Sequence, residues 1–365
     1  MNLLTSWFRR TFADPQVVIL GIVLIAAVVI VAGLGQMLAP VFASIVIAYL
    51  LEAVVARLQK LGLARLASVL LVFLLFLASL FFLLFGLVPK LTRQLTQLVQ
   101  QIPNYITQGQ ELLLQLPQRY PQIISEQQIQ NLINSVGNEM AAASQQFLTW
   151  SLGSVGNVVG LLVLLVLIPV LVFFILKDKN LLIDWFKGYL PAERHLVSSV
   201  WADVEAQIAN YVRGKAGEIV IVGAVSYVTF ISMGLQYSAL LATMVGFSVL
   251  IPYIGAAVIT VPIALVAYFQ WGWGWSFGQV MIAYTIIQAL DGNVLVPLLF
   301  SEALNLHPVA IIVAILVFGG MWGFWGIFFA IPLATVVQAV LKAWPRITGH
   351  EEPTDSPPEE TDSVV

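Results

Sequence analysis

The sequence predicts an all-α protein that crosses a lipid bilayer eight times. Two of the helices are long and broken, and an amphipathic helical segment lies outside the membrane. Three observations carry this prediction. Only 10% of the 365 residues are charged (16 Lys and Arg, 19 Asp and Glu), where a soluble domain carries roughly 25%. Hydrophobic residues make up 60% and the mean hydropathy is +0.94, more apolar surface than a water-soluble core absorbs. The apolar residues are gathered in runs long enough to span, which takes about 20 residues each.

The runs follow in order. Val17–Leu34 is the first, with an uncharged turn expected at Gly35–Ala39, then Pro40–Val55 and Leu66–Val88. The fourth is Val155–Leu176 and the fifth Ile219–Leu235. Ala239–Phe269 and His307–Leu341, the sixth and eighth, are too long for one straight crossing, and Phe277–Phe300 lies between them. The eighth, at 35 residues, is roughly 52 Å long if straight, against a hydrocarbon core of about 30 Å. Arg9 and Arg10 resemble the start of a signal peptide, but the first run outlasts such a segment and leads into a second span.

Basic residues orient the chain, because they collect on the cytoplasmic side. With the N-terminus inside, Arg9, Arg10, Arg57, Lys60, Arg65, Lys177, Lys179, Lys187, Arg194, Arg213, Lys215, Lys342 and Arg346 fall inside. Lys90, Arg93 and Arg119 fall outside, a split of thirteen to three. A re-entrant sixth run would move Lys342 and Arg346 outside and give eleven to five, so eight full crossings with both termini cytoplasmic are preferred. This divides the chain into 1–88 (three spans), 89–154 (outer segment), 155–176 (fourth span), 177–215 (cytoplasmic segment), 216–345 (transport core) and 346–365 (tail).

In the outer segment Leu91, Leu95, Leu98 and Ile102 are spaced 4, 3, 4, one face of a helix. Ile129, Leu132, Ile133 and Val136 begin another. These helices pack on each other, on a partner subunit or on lipid. In the cytoplasmic segment Pro191-Ala192-Glu193 reads as a helix first turn, and Val197, Val200, Val204, Ile208 and Tyr211 form a stripe. The tail after Arg346 is Pro-rich and acidic, a composition that cannot build a core. Val261-Pro262-Ile263-Ala264 recurs as Ile331-Pro332-Leu333-Ala334, which suggests two parallel repeats.

Broken backbone at membrane depth is tolerated only against protein or a water-filled cavity, and transporters bind cargo there. Pro252, Gly255 and Pro262 interrupt the sixth run; Gly319, Gly320, Gly323, Gly326 and Pro332 interrupt the eighth. Proline frees the carbonyl four residues back, so Pro252 loosens Ser248 and Pro332 loosens Phe328. Close packing by small residues would explain any one kink equally well. Asp291 lies near the middle of the seventh run, where an acid costs at least about 2.5–3.5 kcal/mol and marks function by default. Gln288 shares its face, Asn293 is about 200° round the helix, and Pro297 frees the Asn293 carbonyl. Together they can make a proton or sodium site. Alternatively Asp291 is protonated and neutral, or paired with Arg213 or Lys215.

The remaining polar groups have structural readings. Glu52 and Arg57 snorkel or pair near the inner end of the second run. Glu218 opens the fifth, where an acid suits the helix dipole, and His307, ahead of Pro308, caps the eighth. Trp271, Trp273 and Trp275 form an interfacial belt. There is no Cys, and the three His (His195, His307, His350) form no metal motif. Walker, dinucleotide and nucleophile-elbow motifs are also missing. No enzyme chemistry, cofactor, metal or nucleic acid is expected; the expected partners are the bilayer, a small solute with sodium or protons, and a second copy of the chain.

Several stretches resemble the autoinducer-2 exporter family, the PerM-like permeases of bacteria. They are Ile168-Pro169 through Lys177-Asp178, Ile251-Pro252-Tyr253-Ile254-Gly255, and Tyr211 with Arg213-Gly214. The most specific is Gln288, Asp291, Asn293 and Pro297 with His307-Pro308 and the Gly-rich run to Pro332. The resemblance implies a multi-pass permease of the bacterial inner membrane. Family members are described as exporters of autoinducer-2, and some as sodium(lithium)/proton antiporters. The expectation is therefore a gradient-driven permease with Asp291, Gln288 and Asn293 at its site. The alternative is a membrane scaffold or assembly factor with no flux of its own.

Overall fold

The computed structural model describes residues 15–115, six positions between 127 and 137, and 158–189, 195–252, 254–300 and 306–343. The Arg9-Arg10 pair, Pro191–Glu193 and the acidic tail lie outside these residues. The chain is an all-α polytopic membrane protein. Among the described residues five helices are long and apolar enough to cross a bilayer.

Helix α1, Pro15–Lys60, carries the first two apolar runs as one helix of 46 residues. This corrects the turn expected at 35–39. Pro40 sits inside the helix, where it removes one hydrogen bond without reversing the chain. The Ser44 hydroxyl back-bonds to the Pro40 carbonyl at 2.7 Å. The count of eight crossings, and with it the placement of both termini on one side, no longer follows from Lys and Arg positions. Helix α2, Arg65–Phe82, runs through a π-helical turn, Leu83–Leu87, into α3, Val88–Leu114. The outer segment thus begins inside an unbroken helical rod. Next come α4, Val158–Lys177, and α5, Lys179–Gly188.

Helices α1, α2 and α4 pack around Ala48, Val55, Val69, Val72, Val172 and Leu176. At one end Glu52 Oε1 takes Arg65 at 3.5 Å and Lys179 at 3.3 Å, and Arg65 also donates to the Leu176 carbonyl at 2.8 Å. Glu52 therefore pairs with Arg65 and Lys179, not with Arg57. Outward faces stay apolar: Leu74, Leu75, Phe81 and Phe82 are exposed, as lipid-facing surface requires.

Helix α6, His195–Ser232, is continuous over 38 residues, so the expected boundary between cytoplasmic segment and fifth span falls inside it. Glu218 lies in its interior and does not open a helix. Helices α7, Ser238–Ser248, and α8, Ile254–Trp271, are the two halves of the sixth run. They form a hairpin. Gln270, near the end of α8, bonds to the backbone of Gly234 and Gln236, ahead of α7. Seven residues apart, Gly255 and Ser248 touch at the tip: a Cβ on Gly255 would stand 1.8 Å from the Ser248 carbonyl oxygen. In a continuous helix that separation is roughly 10 Å.

Helix α9, Trp275–Leu290, passes through a second π-helical turn, Asp291–Leu295, into α10, Val296–Phe300. Phe300 packs on Tyr211 and Gly214, so this helix runs antiparallel to α6. Helices α11, Pro308–Trp322, and α12, Phe324–Ala343, form the second hairpin, turning at Gly323 with φ +60°. A Cβ on Gly326 would stand 1.8 Å from the Phe318 carbonyl oxygen, and one on Gly319 2.9 Å from Ile327. His307 caps α11, its Nδ1 accepting from the Val309 amide at 3.3 Å.

The expected breaks at Pro252 and Gly255, and from Gly319 to Gly326, are therefore reversals, and the sixth and eighth runs each return toward the end where they began, whereas Pro262 and Pro332 lie inside helices and break neither. The preference for a crossing sixth run considered one hairpin, not two. With both present Lys342 stays on the side of Lys215. The repeat is also corrected: the hairpins enter the core from opposite ends, so the two units are inverted, with Pro262 and Pro332 in the second arm of each.

The glycine contacts generate a prediction. Gly255→Ala and Gly326→Ala overpack a backbone contact that cannot yield, which typically costs about 1–3 kcal/mol. Gly320, with nothing within 4 Å of a Cβ, tolerates alanine. Thermal melting in detergent should show lower midpoints for the first two and no change for the third.

Candidate functional site

The first hairpin tip, the flank of the second, α6 and the α9–α10 rod enclose one cavity of about 390 Å³. Helix α6 lines it with Tyr211, Lys215 and Glu218, spaced 4 and 3 so that they share a face. The first hairpin adds Ser248, Ile251, Pro252 and Ala256, and the second Ile311 and Ile331. Gln288, Asp291 and Gly292 face it from the α9 side.

The π-helical turn places Asp291. Pro297 has no amide to give the Asn293 carbonyl, and the turn ahead of it widens: the Val296 amide bonds the Asp291 carbonyl, a five-residue step. The other π turn likewise stands two residues before a proline, Pro89. Asp291 is half-buried, and its Oδ1 has no hydrogen-bond partner among the described residues. The same holds for Gln288 Nε2. Buried polar atoms are normally satisfied, so the pair marks a place where water or cargo completes the bonding.

Asn293 is not brought to the site. It is exposed, and its Nδ2 donates to the Ala289 carbonyl at 2.8 Å. Arg213 is not there either: it is exposed, bonds Ala209 and Asn210, and lies over the Tyr49 ring at 5.6 Å. Lys215 does face the cavity, but its Nζ donates to Glu218 Oε2 at 2.7 Å, with both residues buried at 4% and 2% exposure. The Lys215 ammonium also lies 5.4 Å from the Phe300 ring centre. Glu218 is thus a cavity residue, which its reading as a helix opener missed. The signal was the 4, 3 spacing that continues the apolar stripe through Tyr211.

Backbone freed by proline is satisfied here. The Phe328 carbonyl, which Pro332 cannot bond, accepts from the Tyr211 hydroxyl at 3.3 Å. The Tyr284 hydroxyl donates to Ala256 in the first hairpin at 2.9 Å. Gly255, Gly319, Gly323 and Gly326 mark the hairpin tips, whereas Gly320 contacts nothing. Among the described residues no cluster of His, Asp and Glu is gathered to hold a metal ion. The outer helix α3 docks on this core: Gln94 caps the Leu240 amide at 2.8 Å, Lys90 reaches the Tyr227 hydroxyl at 2.7 Å, and Tyr105 stacks on Phe269.

A family model described as AI-2E family transporter matches residues 17–346. The chain is 42% identical over 345 residues to "Putative permease PerM" of Escherichia coli K12, covering 94% of this chain and 98% of that one. It is 28% identical over 309 residues to "Putative transport protein YrrI" of Bacillus subtilis, covering 83% and 85%. With "Putative transport protein YueF" of the same organism it shares 26% identity over 292 residues, 78% of each chain.

Tyr211→Phe removes the donor to the Phe328 carbonyl and leaves that group without its partner. The expected loss is about 1–3 kcal/mol, seen as a lower thermal midpoint in lipid nanodiscs. An unchanged midpoint would show that the carbonyl does not depend on Tyr211.

Proposed function

The chain belongs to the AI-2E transporter family and acts in membrane transport, and from that premise we propose how it does so. It is a gradient-driven permease of the bacterial inner membrane. Asp291 is its coupling carboxylate, exchanging a cation or moving a small polar solute against protons. The observation that carries this reading is the Asp291 oxygen, without a partner among the described residues, in a cavity built where two hairpins break. Gln288 supplies an amide beside it, and Asn293 drops out of the ligand set because it turns away. The hairpins are the gating elements, since each tip rests on glycine contacts rather than on a helix ladder.

A volume of about 390 Å³ exceeds what one dehydrated ion fills, which supports a small polar solute as cargo alongside the ion. The basic end, with Arg65 and Lys179 on Glu52 and Arg213 on Tyr49, is the cytoplasmic face. The scaffold reading is weaker. It needed the outer apolar stripe to bind partners, yet Leu98 of that stripe packs on the chain's own core.

The test is flux in liposomes, screening sodium, lithium and small polar solutes across a proton gradient. Asp291→Asn, checked for an unchanged size-exclusion profile, should lower proton-coupled flux at least tenfold and abolish its pH dependence. Wild-type flux with unchanged pH dependence would falsify the coupling role.

A further inference from the structure

The cavity holds three side chains that can carry charge near neutral pH, Lys215, Glu218 and Asp291. Lys215 and Glu218 form a contact pair at 2.7 Å, both buried. Asp291 lines the same cavity with an oxygen that has no hydrogen-bond partner among the described residues, and both partners of the pair lie within electrostatic range of it. Tyr211, the other titratable group on this wall, is occupied with the Phe328 carbonyl. No further charged side chain among the described residues lines the cavity from the hairpins, α9 or α10.

One ammonium against two carboxylates leaves the site one positive charge short. A low-dielectric cavity does not carry that deficit; it is filled by a proton on Asp291 or by a single monovalent cation. We propose that Lys215, held by Glu218, is the residue that sets the valence of the site, so that one proton and one monovalent cation compete for Asp291 and divalent cations are rejected. The inference rests on the coupling role of Asp291 and adds what limits its cargo. Without Lys215 the two carboxylates would present a double charge, the arrangement that suits a hard divalent ion. Without Glu218 the freed ammonium would turn to Asp291 and occupy the site itself. Four and three residues of separation along one helix leave Lys215 no partner on α6 other than Glu218 and the Tyr211 ring side of the cavity, and Phe300 closes that side.

The test is a charge series on the full chain in lipid nanodiscs, titrated calorimetrically with sodium chloride and with calcium chloride at several pH values. The wild type should bind one sodium ion, release close to one proton, and show no measurable calcium binding. Lys215→Gln should raise calcium affinity at least tenfold above that. Glu218→Gln should weaken sodium binding at least tenfold. The double variant Lys215→Gln/Glu218→Gln restores the charge of the wild type and should return sodium affinity to within about threefold. The calcium affinity gained by Lys215→Gln is the readout that a merely structural pair would not move. The inference is overturned if the wild type binds no sodium, if Lys215→Gln leaves ion selectivity unchanged, or if the folded double variant behaves like Glu218→Gln. Asp291→Asn separates the two ideas: sodium binding of wild-type strength in that variant defeats the coupling role itself, whereas its loss there with a failed rescue defeats only the assignment to Lys215.

Discussion

Every backbone carbonyl that loses its helical partner inside the bilayer has to find another, because no bulk water is present there to donate to it. The core of this protein is arranged by that constraint. Its two long apolar runs are broken by Gly and Pro, and breaks at that depth persist only if protein surrounds them. The hairpins meet the requirement by folding each arm against the other and by facing α6. Tyr211 serves the carbonyl that Pro332 abandons, and Tyr284 reaches into the first hairpin at Ala256. Gly223 and Gly246 let α6 and α7 approach until a Cβ on Gly246 would stand 2.9 Å from the Ile219 carbonyl oxygen. Such proximity gives the broken arm a protein surface in place of lipid.

The same constraint explains why the charges lie where they do. Once the hairpins and α6 shield a pocket from lipid, ionisable groups can enter it. Lys215 and Glu218 enter as a pair that neutralises itself through a short bond. A buried pair of this kind contributes little net stability against an apolar alternative, but removing one partner leaves an uncompensated charge. Asp291 enters differently. It is delivered by a π-helical turn, a local widening that proline imposes, and its Oδ1 has no hydrogen-bond partner among the described residues. The two acids of this cavity thus differ: Glu218 is bonded to Lys215, whereas Asp291 Oδ1 has no hydrogen-bond partner among the described residues.

Much of this was legible in the sequence. Asp291 and Gln288 were found by depth and by helical spacing, and the carbonyls of Ser248 and Phe328 by the proline rule. What composition could not tell was whether a Gly-Pro break bends a helix or reverses it. That depends on a contact between residues far apart along the helix, Gly255 on Ser248 and Gly326 on Phe318, and periodicity carries no information about it. The counting of basic residues treated each long run as a single crossing and had no means of seeing that both turn back on themselves. The turn at 35–39 failed in the opposite sense: uncharged residues and a proline permit a turn but do not compel one. Asn293 was misplaced by chemistry alone. Its amide finds the Ala289 carbonyl on its own helix, and the π turn does not rotate it into the cavity.

The two hairpins enter the core from opposite ends, yet they are held in different ways, and the difference bears on how such a core can move. The first is tied at its open end by polar side chains: Gln94 caps the start of α7, and Gln270 bonds the turn before it. Tyr105 of the outer helix stacks on Phe269 at 4.4 Å, which fastens the same end again. The second hairpin is secured mainly by packing, Ile311, Ala314 and Ile315 against Ala330 and Ile331, with Tyr211 as its polar tie. Apolar packing is tolerant of sliding along a helix face, whereas a capped helix start and a bidentate amide are lost as soon as they shift by an ångström or two. The polar ties therefore make the first hairpin and α3 one body, and the second hairpin the arm with the lower cost of displacement. Because Tyr211 belongs both to that arm's tie and to the cavity wall beside Lys215, any displacement of the second hairpin alters the surroundings of the ionisable groups.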